Sequence, residues 1–144
     1  MVKSLLDWDY RVWALLSAVF AGLTAVLAKR GVEGVPANLA LFVRVLVILA
    51  FAAAIAVATR QANVGMLGRQ AWLFLVLSGL ATGLSWLCYF RALQLGPVSR
   101  VAPIDKLSYL VAMALGFVAL REAASPKAVI GGLVIGVGVL ITLF

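Results

Sequence analysis

The chain has 144 residues, 65% of them hydrophobic and 12% charged, with a mean hydropathy of +1.16. These values exclude an ordinary soluble globular domain. The formal charge of +7 does not point to nucleic acid, because the Lys and Arg residues are scattered and sit mostly at helix ends, where they reach lipid headgroups.

Five apolar stretches fill the sequence: Tyr10–Ala28, Ala37–Ala58, Ala71–Leu95, Val98–Leu120 and Lys127–Phe144. A helix needs ~20 mostly apolar residues to cross a bilayer, and each stretch meets or nearly meets that length. They are apolar all round and lack the short alternating strands of a barrel. The expected class is an all-α polytopic membrane protein in which residues 1–144 form one five-helix unit. An odd number of spans puts the termini on opposite sides.

The first span follows a segment carrying Lys3, Asp7, Asp9 and Arg11, with Trp8 at the expected interface. Its apolar run is long, so it is read as a retained helix and not as a cleaved signal. Lys29-Arg30-Gly31 ends it, and Pro36 opens the second span where a missing N–H costs nothing. Gly96-Pro97 separates the third and fourth spans, and Ser125-Pro126 begins the fifth as N-cap and first helical residue. Rows of small residues recur at four-residue spacing: Ala18 and Gly22; Gly79 and Gly83; Ser108, Ala112 and Gly116; Gly132 and Gly136. Such rows let helices approach closely, either within one protomer or between two. The glycine-rich fifth span is the best dimer or scaffold candidate on this pattern.

Charge sets orientation only weakly. One side carries Lys3, Arg11, Arg60, Arg69, Arg121 and Lys127, and the other Lys29, Arg30, Arg91 and Arg100, six against four. The richer side is expected in the cytoplasm. A margin this small fits either dual topology or one fixed orientation.

Apart from Arg11, Arg91, Arg100 and Lys127 near span ends, three charges fall inside spans: Arg44, Asp105 and Lys106. Each costs ~2.5–3.5 kcal/mol at mid-membrane, so such residues usually face a cavity or one another. Arg44 lies ~12 Å along the second span and Asp105 ~10 Å along the fourth, at 1.5 Å per residue. Both spans start from the same side, so the two are expected at matching depth and able to pair. Ser78, Thr82, Ser85 and Tyr89 share one face of the third span, with Trp86 adjoining, and Thr24 sits near the same end of the first. A polar pocket among spans one to four is the resulting expectation. Snorkelling to the interface is the alternative for Arg44 and more so for Lys106, and plain packing is the alternative for Trp86 and Tyr89. The one cysteine, Cys88, reads as a small buried hydrophobe. With no His and no nucleophile–base constellation, neither an enzyme, a metal site nor a cofactor is expected.

The stretch Tyr89-Phe90-Arg91-Ala92-Leu93-Gln94-Leu95-Gly96-Pro97-Val98-Ser99 resembles the junction of helices three and four in EamA-type transporters. Leu120-Arg121-Glu122 is similar to that family's glutamate at the end of helix four, and Gly131-Gly132 through Gly138 to its glycine-rich fifth helix. The resemblance covers the whole chain and places it in the drug/metabolite transporter superfamily. It implies half of an inverted-repeat fold, because full-length members carry two such units in opposite orientation. It further implies a homodimer, most simply antiparallel, in the cell (inner) membrane, moving a small organic metabolite or drug-like solute by alternating access. In that reading Asp105 is the gating or coupling carboxylate, with Lys106 beside it, and Arg44 is its partner or an anion anchor. Trp86 and Tyr89 form an aromatic wall, and Ser85 and Thr24 donate hydrogen bonds. The small multidrug-resistance relatives depend on a glutamate in helix one, whereas helix one here has no acidic residue. Other readings of the same residues are a non-transporting scaffold, half of a hetero-pair, or a lipid flippase.

Overall fold

The computed structural model describes residues 9–143. Lys3, Asp7, Trp8 and Phe144, which bear on charge bias, interface position and the end of the fifth span, lie outside the described residues. The described residues form six α-helices: α1 Tyr10–Gly31, α2 Ala37–Ala58, α3 Arg69–Leu95, α4 Val98–Asp105, α5 Leu107–Ala119 and α6 Pro126–Leu143. A single 3₁₀ turn, Val64–Met66, lies between α2 and α3. Taken together, α4 and α5 make the fourth of five segments long and apolar enough to cross a membrane. The expected class therefore holds: five spanning helical segments and, among the described residues, no strand. Helices suit that setting because every interior backbone N–H and C=O is bonded within the segment.

The helix ends follow the local chemistry. Lys29 and Arg30 occupy the last turn of α1, where cations complement the negative end of the helix dipole. Pro36 sits just before α2, and its carbonyl accepts the amide of Ala40 at 3.0 Å. Gly96-Pro97 stops α3, since Pro97 has no N–H with which to continue the helix. Pro126 opens α6, where the first N–H has no helical partner in any case.

The chain divides into two compact units, residues 28–95 and residues up to 27 with 96–144. In the first, α2 packs along α3. Val32, Leu41, Phe90 and Leu93 are buried there, and Leu93 is fully enclosed. In the second, α6 packs against both α4 and α5. Gly132 and Gly136 are buried in that contact. A Cβ at Gly132 would fall 2.7 Å from Met113 Cε, and one at Gly136 would fall 3.0 Å from Leu110 Cδ1. This row of the fifth span, the best dimer candidate on pattern, thus packs inside the unit. By contrast Gly22, Gly79, Gly83, Gly131 and Gly138 meet nothing within 4 Å.

The fourth span differs from the single helix expected over Val98–Leu120. It is interrupted at Lys106. The amide of Lys106 bonds to the carbonyl of Pro103, and that of Tyr109 to the carbonyl of Lys106, both at 3.0 Å and both three residues back. Two tight turns therefore stand where an α-helix would reach four residues back. Pro103 lies inside α4, three residues before the break; it leaves the carbonyl of Ser99 without its helical amide, so α4 is weakened one turn before the span is interrupted.

Most large apolar side chains are exposed, among them Leu15, Phe20, Phe51, Phe74, Leu84, Val118 and Ile141. On a soluble protein such a surface would drive association; on five helices of spanning length it suits contact with lipid or with other membrane helices.

Candidate functional site

In residues 28–95 the site is built on the facing sides of α2 and α3. Arg44 lies two turns into α2, and Trp86 and Phe90 stand one turn apart on one face of α3. The Arg44 guanidinium carbon is 4.3 Å from the centre of the Trp86 ring and 5.3 Å from that of Phe90. Phe90 is buried, whereas Arg44 and Trp86 are half-buried. Contacts of this kind are worth about 0.5–2 kcal/mol each, most when desolvated. They offset part of the ~2.5–3.5 kcal/mol that a charge costs at mid-membrane. They supply no counter-charge. Glu33 is the sole acid between residues 28 and 95, it belongs to the loop before α2, and Arg44 makes no ion pair within this unit. Tyr89 is half-buried and within electrostatic reach of Arg44.

The end of this helix pair is locked by side chains reaching for stranded carbonyls. The carbonyl of Leu93 would be met four residues on by the amide of Pro97, which does not exist. Lys29 Nζ takes its place, donating to Leu93 O at 2.6 Å. Gln94 Nε2 donates to Val35 O, also at 2.6 Å, and Gln94 Oε1 accepts from Arg91 Nη1 at 3.0 Å. Two cavities open beside this lock. One, of about 420 Å³, is lined by Lys29, Val32, Glu33, Gly34, Val35, Pro36 and Gln94. The other, of about 390 Å³, is lined by Pro36, Ala37, Asn38, Arg91 and Gln94.

In the other unit, Asp105 ends α4 and Lys106 is the residue at which the span breaks. Lys106 Nζ lies 3.4 Å from Asp105 Oδ2, with Asp105 half-buried and Lys106 exposed. The contact is long and joins sequence neighbours, so it ties the carboxylate to no other helix of the unit. Thr24 of α1 is half-buried.

Of the residues singled out from sequence, Arg44, Trp86 and Tyr89 come together on α2 and α3, and Asp105 and Lys106 meet at the break. Ser85 is exposed beside the Arg44 cluster, and Thr82 spends its hydroxyl on the Ser78 carbonyl at 2.9 Å, so that polar row is partly satisfied within α3. Cys88 is exposed and not buried as its apolar surroundings suggest. Sequence reasoning missed Phe90, although an aromatic pair at i, i+4 opposite a lone arginine is a readable signal. It also missed Lys29 and Gln94, whose signal is the proline four residues after Leu93.

A model of the EamA-like transporter family matches residues 10–144. A Sinorhizobium protein named as an uncharacterized transporter in the cobO 3′ region is 51% identical over 117 residues, which are 81% of this chain and 82% of that relative. No solved structure is significantly similar to the chain.

Proposed function

The chain belongs to the EamA-like transporter family, and from that premise we propose that it carries a small organic metabolite or drug-like solute across the cell membrane by alternating access, as a dimer. The observation that carries this reading is the interruption of the fourth span at Lys106, directly after Asp105. Transporters commonly place substrate and coupling sites at discontinuous helices, where unbonded backbone and a loosely paired charge can serve a solute. Asp105 is then the coupling carboxylate, free to leave Lys106 as the cycle turns. Arg44 with Trp86 and Tyr89 is the second polar element, and Ser85 and Thr24 supply hydroxyls.

Dimerisation follows from the family's logic. Where two inverted five-helix units make the working fold, one unit needs a second, and an antiparallel copy is the simplest source. The Sinorhizobium relative is nearly the same length as this chain, since the matched residues are 81% of one and 82% of the other.

The test is Asp105→Asn in proteoliposomes. The variant should elute and unfold as the parent does but show no exchange of a solute that the parent moves. Parental flux in Asp105→Asn removes this residue from the mechanism.

A further inference from the structure

The Arg44 cluster narrows the class of solute. We propose that Arg44, lying against Trp86 and Phe90, is an oxyanion site that binds the carboxylate, or a similar planar oxyanion, of an organic anion. The fate of the bound anion, its passage across the bilayer, rests on the transporter reading.

Three observations carry the assignment. The first is the state of the guanidinium: its carbon lies 4.3 Å from the Trp86 ring centre and 5.3 Å from that of Phe90, and none of its five N–H groups donates to a protein oxygen within the unit. Those donors lie in the guanidinium plane and form a fork that matches two oxygens of a carboxylate or phosphate. The second is the absence of a competitor within the unit. Arg44 makes no hydrogen bond or ion pair there, and the one acid of residues 28–95, Glu33, is committed to the loop cavity. The third is the charge at the nearer end of the α2–α3 pair, two turns from Arg44. Two cavities lie there, neither lined by Arg44, and Lys29 and Arg91 stand in their walls with Glu33 as the one acid. A surface of that sign attracts anions and discourages cations. Rings beside the bound oxygens would favour an apolar or aromatic body on the solute.

The oxyanion could come from a solute or from a lipid headgroup, and the experiment separates them. The full chain is placed in phosphatidylcholine nanodiscs with Trp8, Trp13 and Trp72 changed to Phe, leaving Trp86 as the reporter. Sodium benzoate is titrated against its neutral isostere benzamide at constant ionic strength. Benzoate should change Trp86 fluorescence saturably, with benzamide at least about tenfold weaker. Arg44→Gln should lose roughly 10- to 100-fold in benzoate affinity, and Arg44→Lys, which lacks the planar fork, about tenfold. Benzamide equal to benzoate, or undiminished binding in Arg44→Gln, overturns the assignment. If these variants fold poorly, the unmodified chain decides: benzoate but not benzamide should raise its unfolding temperature. Added phosphatidylglycerol that competes with benzoate identifies a headgroup as the occupant, and the lack of competition identifies a solute. Benzoate binding without flux of any solute keeps the oxyanion site and defeats the transporter reading. Flux of neutral or cationic solutes without benzoate binding does the reverse.

Discussion

The two halves of the chain handle polar groups in lipid by opposite means. Residues 28–95 settle them across helices: Arg44 against the rings of α3, Lys29 on the Leu93 carbonyl, Gln94 on the Val35 carbonyl. In the fourth span they are settled next door, with Lys106 leaning on Asp105 and its amide turning back to Pro103. Cross-helix bonds fix a pair of helices in one arrangement. Local pairs leave a segment able to change shape, because nothing distant has to break. The difference teaches where rigidity and movement are expected: a braced α2–α3 pair, and a hinge at Lys106.

Four changes, one with a control, would break or sharpen that contrast. The largest effect is expected from Lys29→Met, which strands the Leu93 carbonyl and removes a charge-assisted bond, costing about 1.5–3 kcal/mol. Thermal unfolding in detergent would measure it, and an unchanged midpoint would mean that this bond braces nothing. Next comes Gly132→Leu, which drives a side chain into Met113 and Leu110. Overpacking of this kind costs about 1–3 kcal/mol. Gly79→Leu is its control: with nothing within 4 Å of Gly79, protomer stability should stay put, and a loss of dimer in crosslinking would place that face at the partner. Pro103→Ala gives the carbonyl of Ser99 an amide to accept, so α4 should stiffen just before the break. We expect stability to hold or rise by ~1 kcal/mol while transport falls, and undiminished flux would argue against a hinge. The smallest effect belongs to Arg60→Gly. Arg60 and Arg121 both sit at helix ends with φ of 56° and 55°, a left-handed conformation that costs a side chain about 1 kcal/mol. Relief at Arg60 should raise the unfolding midpoint slightly. A more mixed orientation of tagged termini in the same variant would show that its charge, not its shape, is what the position serves.

Much of this was legible in the sequence because its causes are local. The spans announce themselves by hydropathy, and their ends by Lys29-Arg30-Gly31, Pro36, Gly96-Pro97 and Pro126, each acting on its own backbone. Pro103 is visible too, and a local break near Asp105 is one of the two readings it allows. A proline six residues into a span can mark either a plain helix start or a break, and hydropathy reads straight across both. The candidate site was half-readable. Depth along a helix brings Arg44, Tyr89 and Asp105 to one level, but depth says nothing about azimuth, and so does not single out Phe90.

By itself, then, the sequence determined that this is a membrane protein with five helical segments long and apolar enough to cross a bilayer. Those outcomes depend on transfer energies and backbone chemistry summed along the chain. The tertiary structure alone decided which side of each helix meets a neighbour. It gave Arg44 two rings to lie against, turned Gly132 and Gly136 inward and left Gly79 open, and sent Lys29 to the Leu93 carbonyl. In an apolar helix with no polar face, rotation about the axis is fixed only by packing, and packing is not written in any one segment.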